Sequence, residues 1–443
     1  MEPSLVIEKA LNNFELFQIP ESPPENLALL EELQHRRQKT KPFANIDVLF
    51  IQHHLGPFIG RLHSMIASGL DPNRSWFVDI PYSTNSDVVE KLGELGFPAH
   101  QRTTRFDDPL SNYGSAQAQR VSSLMEIFAK REDPRPLLVI DDGAYFARYL
   151  NSLKTYAPNQ LDSFVGTSVV EQTTRGHRYL CNEALEVIMR CGLSVVSIAR
   201  CKTKSEFEGP FVGAAVSRAI KRSIGEKLIS NARHIAVIGC GVVGQATVRE
   251  ICRICPDAKI DVVDVDPSVR AKASHLSKYC EGLPQLRDYW EYDIVLGCTG
   301  YNSFHLDQRK LLADDAILAS GSSAAIEFNR AGFIELADRY EDDEIEILNR
   351  NKTISEGIHA TIFLRQEKGK IFSFLNAGFP VNFDGRIECL PTKIIQATHG
   401  LLFTASIQAM AQKGPCINTV NPDDDEWIFK KAVSELSKSP ELR

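Results

Sequence analysis

The segment His234–Ile238 is apolar and β-branched, and it runs straight into Gly239-Cys240-Gly241-Val242-Val243-Gly244 and a helical pattern. Few sequences restrict a fold as closely. In a strand–turn–helix of this kind Gly239 permits the tight turn, Gly241 lets the backbone approach a pyrophosphate, and Gly244 lets the helix pack on the strand. The diphosphate sits at the helix N-terminus, here Val242 and Val243, where unpaired N–H groups and the helix dipole favour an anion. Asp264 lies 20 residues after Gly244 and ends the expected strand Lys259–Val263. A carboxylate there accepts hydrogen bonds from ribose hydroxyls and repels a 2′-phosphate, so the expected cofactor is NAD rather than NADP. A chance glycine turn, or a domain for another nucleotide, is the alternative. Thr299 and Gly300, after the apolar run Asp293–Leu296, are small residues at a strand end and suit close approach to a cofactor; a plain turn would look the same.

At 443 residues the chain exceeds the usual size of one core, so two domains are expected. Short β-rich runs alternate with helical stretches from Asn45 onward, which is the pattern of parallel α/β sheets. Strands are expected at Ile46–Ile51, Trp76–Ile80, Pro136–Ile140, Ser163–Thr167 and Leu193–Ser197, then at His234–Ile238, Lys259–Val263, Ile294–Leu296 and Ala316–Ala319. The fold class is therefore α/β, with two Rossmann-like domains: a substrate domain and an NAD-binding domain. Residues 1–44 read as a helical lead-in, 45–212 as the substrate domain with a return segment at 390–412, 213–389 as the NAD domain, and 413–443 as a tail. The tail is read as a loop and a final amphipathic helix.

A net charge of −7 argues against nucleic acid or anionic membrane as a general partner, and no apolar run approaches a membrane span. The first residues mix charges into a short apolar pattern unlike a secretory signal. Ten scattered cysteines then read as reduced thiols, and the expected location is cytoplasmic. Cys252 and Cys255 form a C-x-x-C, but on an expected helix, where ordinary packing explains them; no metal site is expected.

Several further segments resemble the S-adenosylhomocysteine hydrolase family. Asp141-Asp142-Gly143 after a strand resembles its Asp-Asp-Gly-Gly-Asp, and Glu171-Gln172-Thr173-Thr174-Arg175-Gly176 its Glu-Glu-Thr-Thr-Thr-Gly. Thr203-Lys204-Ser205-Glu206-Phe207-Glu208 resembles Thr-Lys-Ser-Lys-Phe-Asp, Asp264-Val265-Asp266-Pro267 resembles Glu-Ile-Asp-Pro, and Ser83-Thr84-Asn85 resembles Ser-Thr-Gln. Val381-Asn382 resembles a Val-Asn near the nicotinamide. The matches keep the family's order from about residue 45 to 410. The resemblance implies two domains that close over a ligand, a homodimer or homotetramer, and NAD as an internal catalyst. Such enzymes oxidise a ribose 3′-hydroxyl, eliminate the 5′ substituent, add water and return the hydride. By the same resemblance Thr173, Thr174, Gly321 and Asn382 would contact NAD. Lys204 and Glu208 would assist proton removal from the oxidised hydroxyl, and Asp142, Gln172 and His54 would belong to the substrate site.

The departures are as informative. Where the family has Gly-His-Phe this chain has Gly321-Ser322-Ser323, and where it has Gly-His-Pro-Ser this chain has Cys389-Leu390-Pro391-Thr392, so two active-site histidines are missing. Gln172 replaces a glutamate, His54-Leu55-Gly56-Pro57-Phe58 replaces His-Met-Thr-x-Glu, and Ser437–Arg443 has no match to the family's C-terminal Lys and Tyr. Losing one acid–base group typically costs about 10²–10⁴ in rate. Three functions stay open: an NAD enzyme oxidising a different sugar or nucleoside hydroxyl, with or without elimination and hydride return; a non-catalytic NAD-binding regulator; and true hydrolysis with acid–base groups relocated to His359 or His177.

Overall fold

The computed structural model describes residues 2–36, 40–103, 113–339, 344–348, 361–365 and 370–442. It divides into one unit made of Met1–Arg105, Ser115–Glu208 and Leu390–Arg443, and a second made of Phe106–Gly114 and Gly209–Cys389. The first unit contributes β1 (Asp47–Gln52), β2 (Ser75–Asp79), β3 (Leu137–Asp141), β4 (Ser168–Glu171) and β5 (Ser194–Ser197). The second contributes β6 (His234–Ile238), β7 (Lys259–Val263), β8 (Cys280–Leu283), β9 (Tyr292–Gly297) and β10 (Leu312–Ser320). Then come β11 (Glu344–Leu348), β12 (Thr361–Arg365) and β13 (Ile371–Phe374), before the chain returns to the first unit as β14 (Cys416–Thr419).

The first sheet has the order β14-β5-β4-β3-β1-β2, and every pairing is parallel. β1, β3 and β4 are buried along their whole length because helices cover both faces, which is why they read as continuous apolar runs. The chain leaves β1 for β2 on one side and later for β3 on the other. The carboxyl ends of β1 and β3 therefore flank a topological switch point, the place where open α/β sheets hold ligands.

Residues 1–44 are integral to this unit. The helix Pro3–Asn12 packs on the last helix, Pro422–Ser437, and Ala28–Arg36 packs on the long helix Thr392–Ala411. Leu29, Leu30 and Leu33 are buried there; fully burying such a side chain contributes about 1.5–3 kcal/mol. Two expectations need correction. The strand expected at Ser163–Thr167 is Ser168–Glu171; Phe164 instead buries its ring from the 3₁₀ turn Pro158–Phe164, and Gly166 at φ 76° turns the chain before pairing begins. The tail is also not a loop before its helix, since Cys416–Thr419 adds a parallel edge strand to β5. Its side chains are partly or fully exposed, so no buried alternation marked it.

The second sheet has the order β11-β12-β13-β10-β9-β6-β7-β8. The six strands from β13 to β8 are parallel, and β12 and β11 add an antiparallel edge. Numbered from β6, the parallel part runs 3-2-1-4-5-6, the order of the dinucleotide-binding fold. Its core joins Val216 and Ile220, Val248 and Ile251, and Val237, Val262 and Leu296 from two helices and the sheet. Among the described residues no helix is long and apolar enough to cross a membrane. None of the ten cysteines is in a disulfide.

Candidate functional site

In the second unit the glycine turn leaves β6 at the switch between β6 and β9. Gly239 has φ 97°, and a Cβ there would lie 2.7 Å from the backbone carbon and oxygen of Cys298. A Cβ on Gly244 would be driven into the carbonyl oxygen of Gly239, so the helix Val242–Ile254 docks at a separation only glycine allows. Gly241 is different: a Cβ there would meet no described residue within 4 Å, which leaves its backbone uncovered by them beside the helix N-terminus. Asp264, at the end of β7, turns back to this turn. Its Oδ2 accepts from the Cys240 N–H at 2.8 Å and its Oδ1 from the Asp266 N–H at 2.9 Å.

Thr299 and Gly300 follow β9 and are held by Glu327, a fully buried residue that motif reading passed over. Its Oε1 accepts the N–H of Thr299 at 2.7 Å and of Gly300 at 2.5 Å, and its Oε2 accepts the Thr299 hydroxyl at 2.8 Å. These small residues are thus committed to a brace within the protein. Gly321 follows β10, its N–H donating to Gly297 O at 2.8 Å, and Ser322 Oγ accepts the Gly300 N–H at 3.1 Å. Val381 donates to Ser320 O at 2.9 Å, which brings the buried Asn382 to the same strand ends.

The first unit gathers polar residues at the carboxyl ends of β1, β3 and β4. Here the structure puts His53, not His54, beside Asp142: Nε2 is 3.3 Å from Asp142 Oδ2, and Nδ1 is 2.5 Å from Ser83 Oγ. His54 points into the core, stacked on Phe58 at 5.3 Å and edge-on to Phe77, with neither ring nitrogen hydrogen-bonded among the described residues. Burial pushes it down to about 4. Adjacent histidines on a strand end face opposite ways, and the sequence alone did not say which one faced inward.

Glu171 is a second buried brace. It accepts from the N–H groups of Gly143, Ala144 and Thr173 and from the Thr173 hydroxyl, at 2.7–3.2 Å. Burial raises it well above the usual carboxylate range, with Asp141 adding to the effect, and burial likewise pushes Asp141 up to about 7. Thr173 also accepts the Gly176 N–H at 2.9 Å as the cap of the helix Thr174–Asn182. Its hydroxyl is therefore engaged inside the first unit, while Thr174 is exposed and Gln172 half-buried.

Lys204 and Glu208 do meet. They form an ion pair of 2.6 Å across the π-helical segment Thr203–Glu208, and Glu208 also accepts the Thr398 hydroxyl. Such π segments recur at functional sites. This one is anchored by the tail, because Asp425 accepts from the N–H groups of Lys202 and Thr203 at 2.6 and 3.1 Å and from the Thr203 hydroxyl at 2.6 Å. Beside Thr398 stands His399, which burial holds well below its ordinary value, with the charges of Arg61 and Lys204 acting in the same direction. Arg61 is fully buried on the helix Gly56–Ala67, donates to Gln52 Oε1 at 2.8 Å and is pushed down to about 9 by burial, against the pull of Asp142. The signal for Arg61 was present, a charge on an otherwise apolar helix; His399 carried none beyond its type. His177 lies on the helix Thr174–Asn182, with its pKa lowered by burial and by Arg200, and His359 lies outside the described residues.

No family model matches the chain. It is 27% identical over 353 residues to uncharacterized proteins from two strains of Mycobacterium tuberculosis, a match covering 78% of this chain and 61% of each relative. The chain thus spans about three fifths of the length of the curated relatives it matches. Among solved structures it is similar to the plantazolicin methyltransferase BpumL, in complex with SAH and in complex with a monoazolic desmethylPZN analog and SAH. The identity is 14%, with TM-scores of 0.24 and 0.25, covering 33% of this chain and 72% and 73% of those chains. A likeness at that level carries no functional argument.

Proposed function

We propose that the second unit binds NAD and that the chain uses it to oxidise a hydroxyl of a sugar- or nucleoside-like substrate. One observation carries the reading: at the switch point of a 3-2-1-4-5-6 sheet, an uncovered Gly241 and a helix N-terminus stand beside a carboxylate at the end of β7. Gly241 leaves room for a diphosphate, the N–H groups of Val242 and Val243 would receive its charge, and Asp264 would accept a ribose hydroxyl. NAD, when bound, supplies a hydride acceptor. The hydroxyl proton must then go to a protein group, and the first unit offers Lys204 paired with Glu208 and His53 paired with Asp142. Elimination and return of the hydride, as in S-adenosylhomocysteine hydrolases, would extend the same chemistry.

A regulatory NAD-binding protein is the second reading. It is favoured by Ser322, which stands where the family has a histidine and whose hydroxyl is engaged by the Gly300 N–H. Calorimetry of the full chain with NAD and NADP tests the cofactor in both readings. NAD should bind more tightly, and Asp264→Asn should weaken it by about 1–3 kcal/mol, roughly 5- to 150-fold, while narrowing its preference over NADP. A merely loosened turn would weaken both nucleotides equally. Equal or tighter NADP binding to the native chain defeats the assignment.

A further inference from the structure

The C-x-x-C of the sequence separates in the structure. Cys255 is buried and its thiol donates to the carbonyl of Ile229 at 3.0 Å, a backbone partner. Cys252 finds another partner. Its sulfur lies 3.5 Å from that of Cys280, 28 residues later in the chain. Cys252 is on the helix that begins at the glycine turn, and Cys280 opens β8, in register with Ile260 of β7. Cys252 is half-buried, whereas Cys280 is 7% exposed.

We propose that Cys252 and Cys280 are a redox site that closes to a reversible disulfide when the chain meets a small-molecule disulfide. The pair has the parts such a step needs: a half-buried attacking cysteine and a more shielded resolving cysteine, their sulfurs already in contact. A hydrogen bond from Cys280 lowers the Cys252 thiol from its ordinary value, which favours the thiolate as the attacking form. The Cys252 thiolate attacks one sulfur of the reagent, forming a mixed disulfide and releasing one thiolate. Cys280 then loses its proton and attacks the Cys252 sulfur, expelling the second thiol. The protein loses two hydrogens and the reagent becomes two thiols, so the electrons balance. The bond would tie the helix behind the glycine turn to the edge of the sheet, whether or not that turn holds NAD.

Treating the full chain with oxidised glutathione, blocking residual thiols and mapping peptides by mass spectrometry tests this directly. The expected product is a linked pair of peptides containing Cys252 and Cys280, released by a dithiol reductant. Cys255→Ser should leave the link unchanged, and Cys280→Ser should trap glutathione on Cys252. The native map decides the matter even if Cys280→Ser fails to fold. Three results overturn the proposal: a Cys252–Cys255 link, a lasting glutathione adduct on Cys252 in the native chain, or both cysteines recovered blocked after half-buried Cys181 has reacted.

Discussion

His54 shows how a single residue can be assigned by motif and reassigned by burial. The motif supplied a histidine near the end of β1; the fold supplied the direction, and His53 took the position beside Asp142. A histidine held at about 4 in the folded chain, against about 6.5 when unfolded, makes the unfolded chain bind the extra proton between those values. Stability should therefore rise with pH across that window and level off above it. The slope is about 1.4 kcal/mol per pH unit, on the order of 3 kcal/mol in all, and His399 adds in the same direction. His54→Phe should be within about 1 kcal/mol of the native chain at pH 7.5, because among the described residues neither ring nitrogen is hydrogen-bonded. At pH 4 the variant should be the more stable by most of that window. Urea unfolding at a series of pH values measures it, and parallel stability curves would refute the assignment.

At the level of elements, two dockings matter most. The helix after the glycine turn is seated by Gly244 against the Gly239 carbonyl. Gly244→Ala should force the helix outward and destabilise the second unit by about 1–3 kcal/mol, with a parallel loss of nucleotide binding; an unchanged urea midpoint would contradict it. The π-helical segment carrying Lys204 is seated by Asp425 from the last helix. Asp425→Ala leaves the Lys202 and Thr203 N–H groups without their acceptor and should cost about 2–3 kcal/mol, and Asp425→Asn less. Denaturant unfolding of the two variants would show it, and equal stability of Asp425→Ala and the native chain would remove Asp425 as the anchor. Neither docking could be assembled from sequence in full. The glycine spacing announced the first, but Asp425 lies more than two hundred residues from Thr203 and sits in a helix first turn rich in acidic residues.

For the whole molecule the central question is whether the polar residues of the first unit perform chemistry. Lys204→Met should leave NAD binding to the second unit intact, since the ion pair it breaks, with Glu208, lies within the first. It should cost some stability, because among the described residues Glu208 keeps the Thr398 hydroxyl but loses its cation while still buried. Once a substrate is known, the variant should no longer form reduced nicotinamide, read by its ultraviolet absorbance; formation at the native rate would make Lys204 structural. With S-adenosylhomocysteine, homocysteine release should fall below a tenth of a typical turnover of about 10 s⁻¹; a rate above that would show that acid–base groups have been relocated. What the sequence alone determined was periodic and local: alternating strands and helices, the glycine turn, Asp264 at the end of β7, and Lys204 four residues before Glu208. These follow from backbone geometry within one strand–turn–helix or one helical turn. Strand order, the edge strand at Cys416–Thr419, the direction of His53 and His54, the braces Glu171 and Glu327, and the Cys252–Cys280 pair were decided only by tertiary structure. Each joins residues distant in the chain, and burial, not spacing, set its partner and its charge.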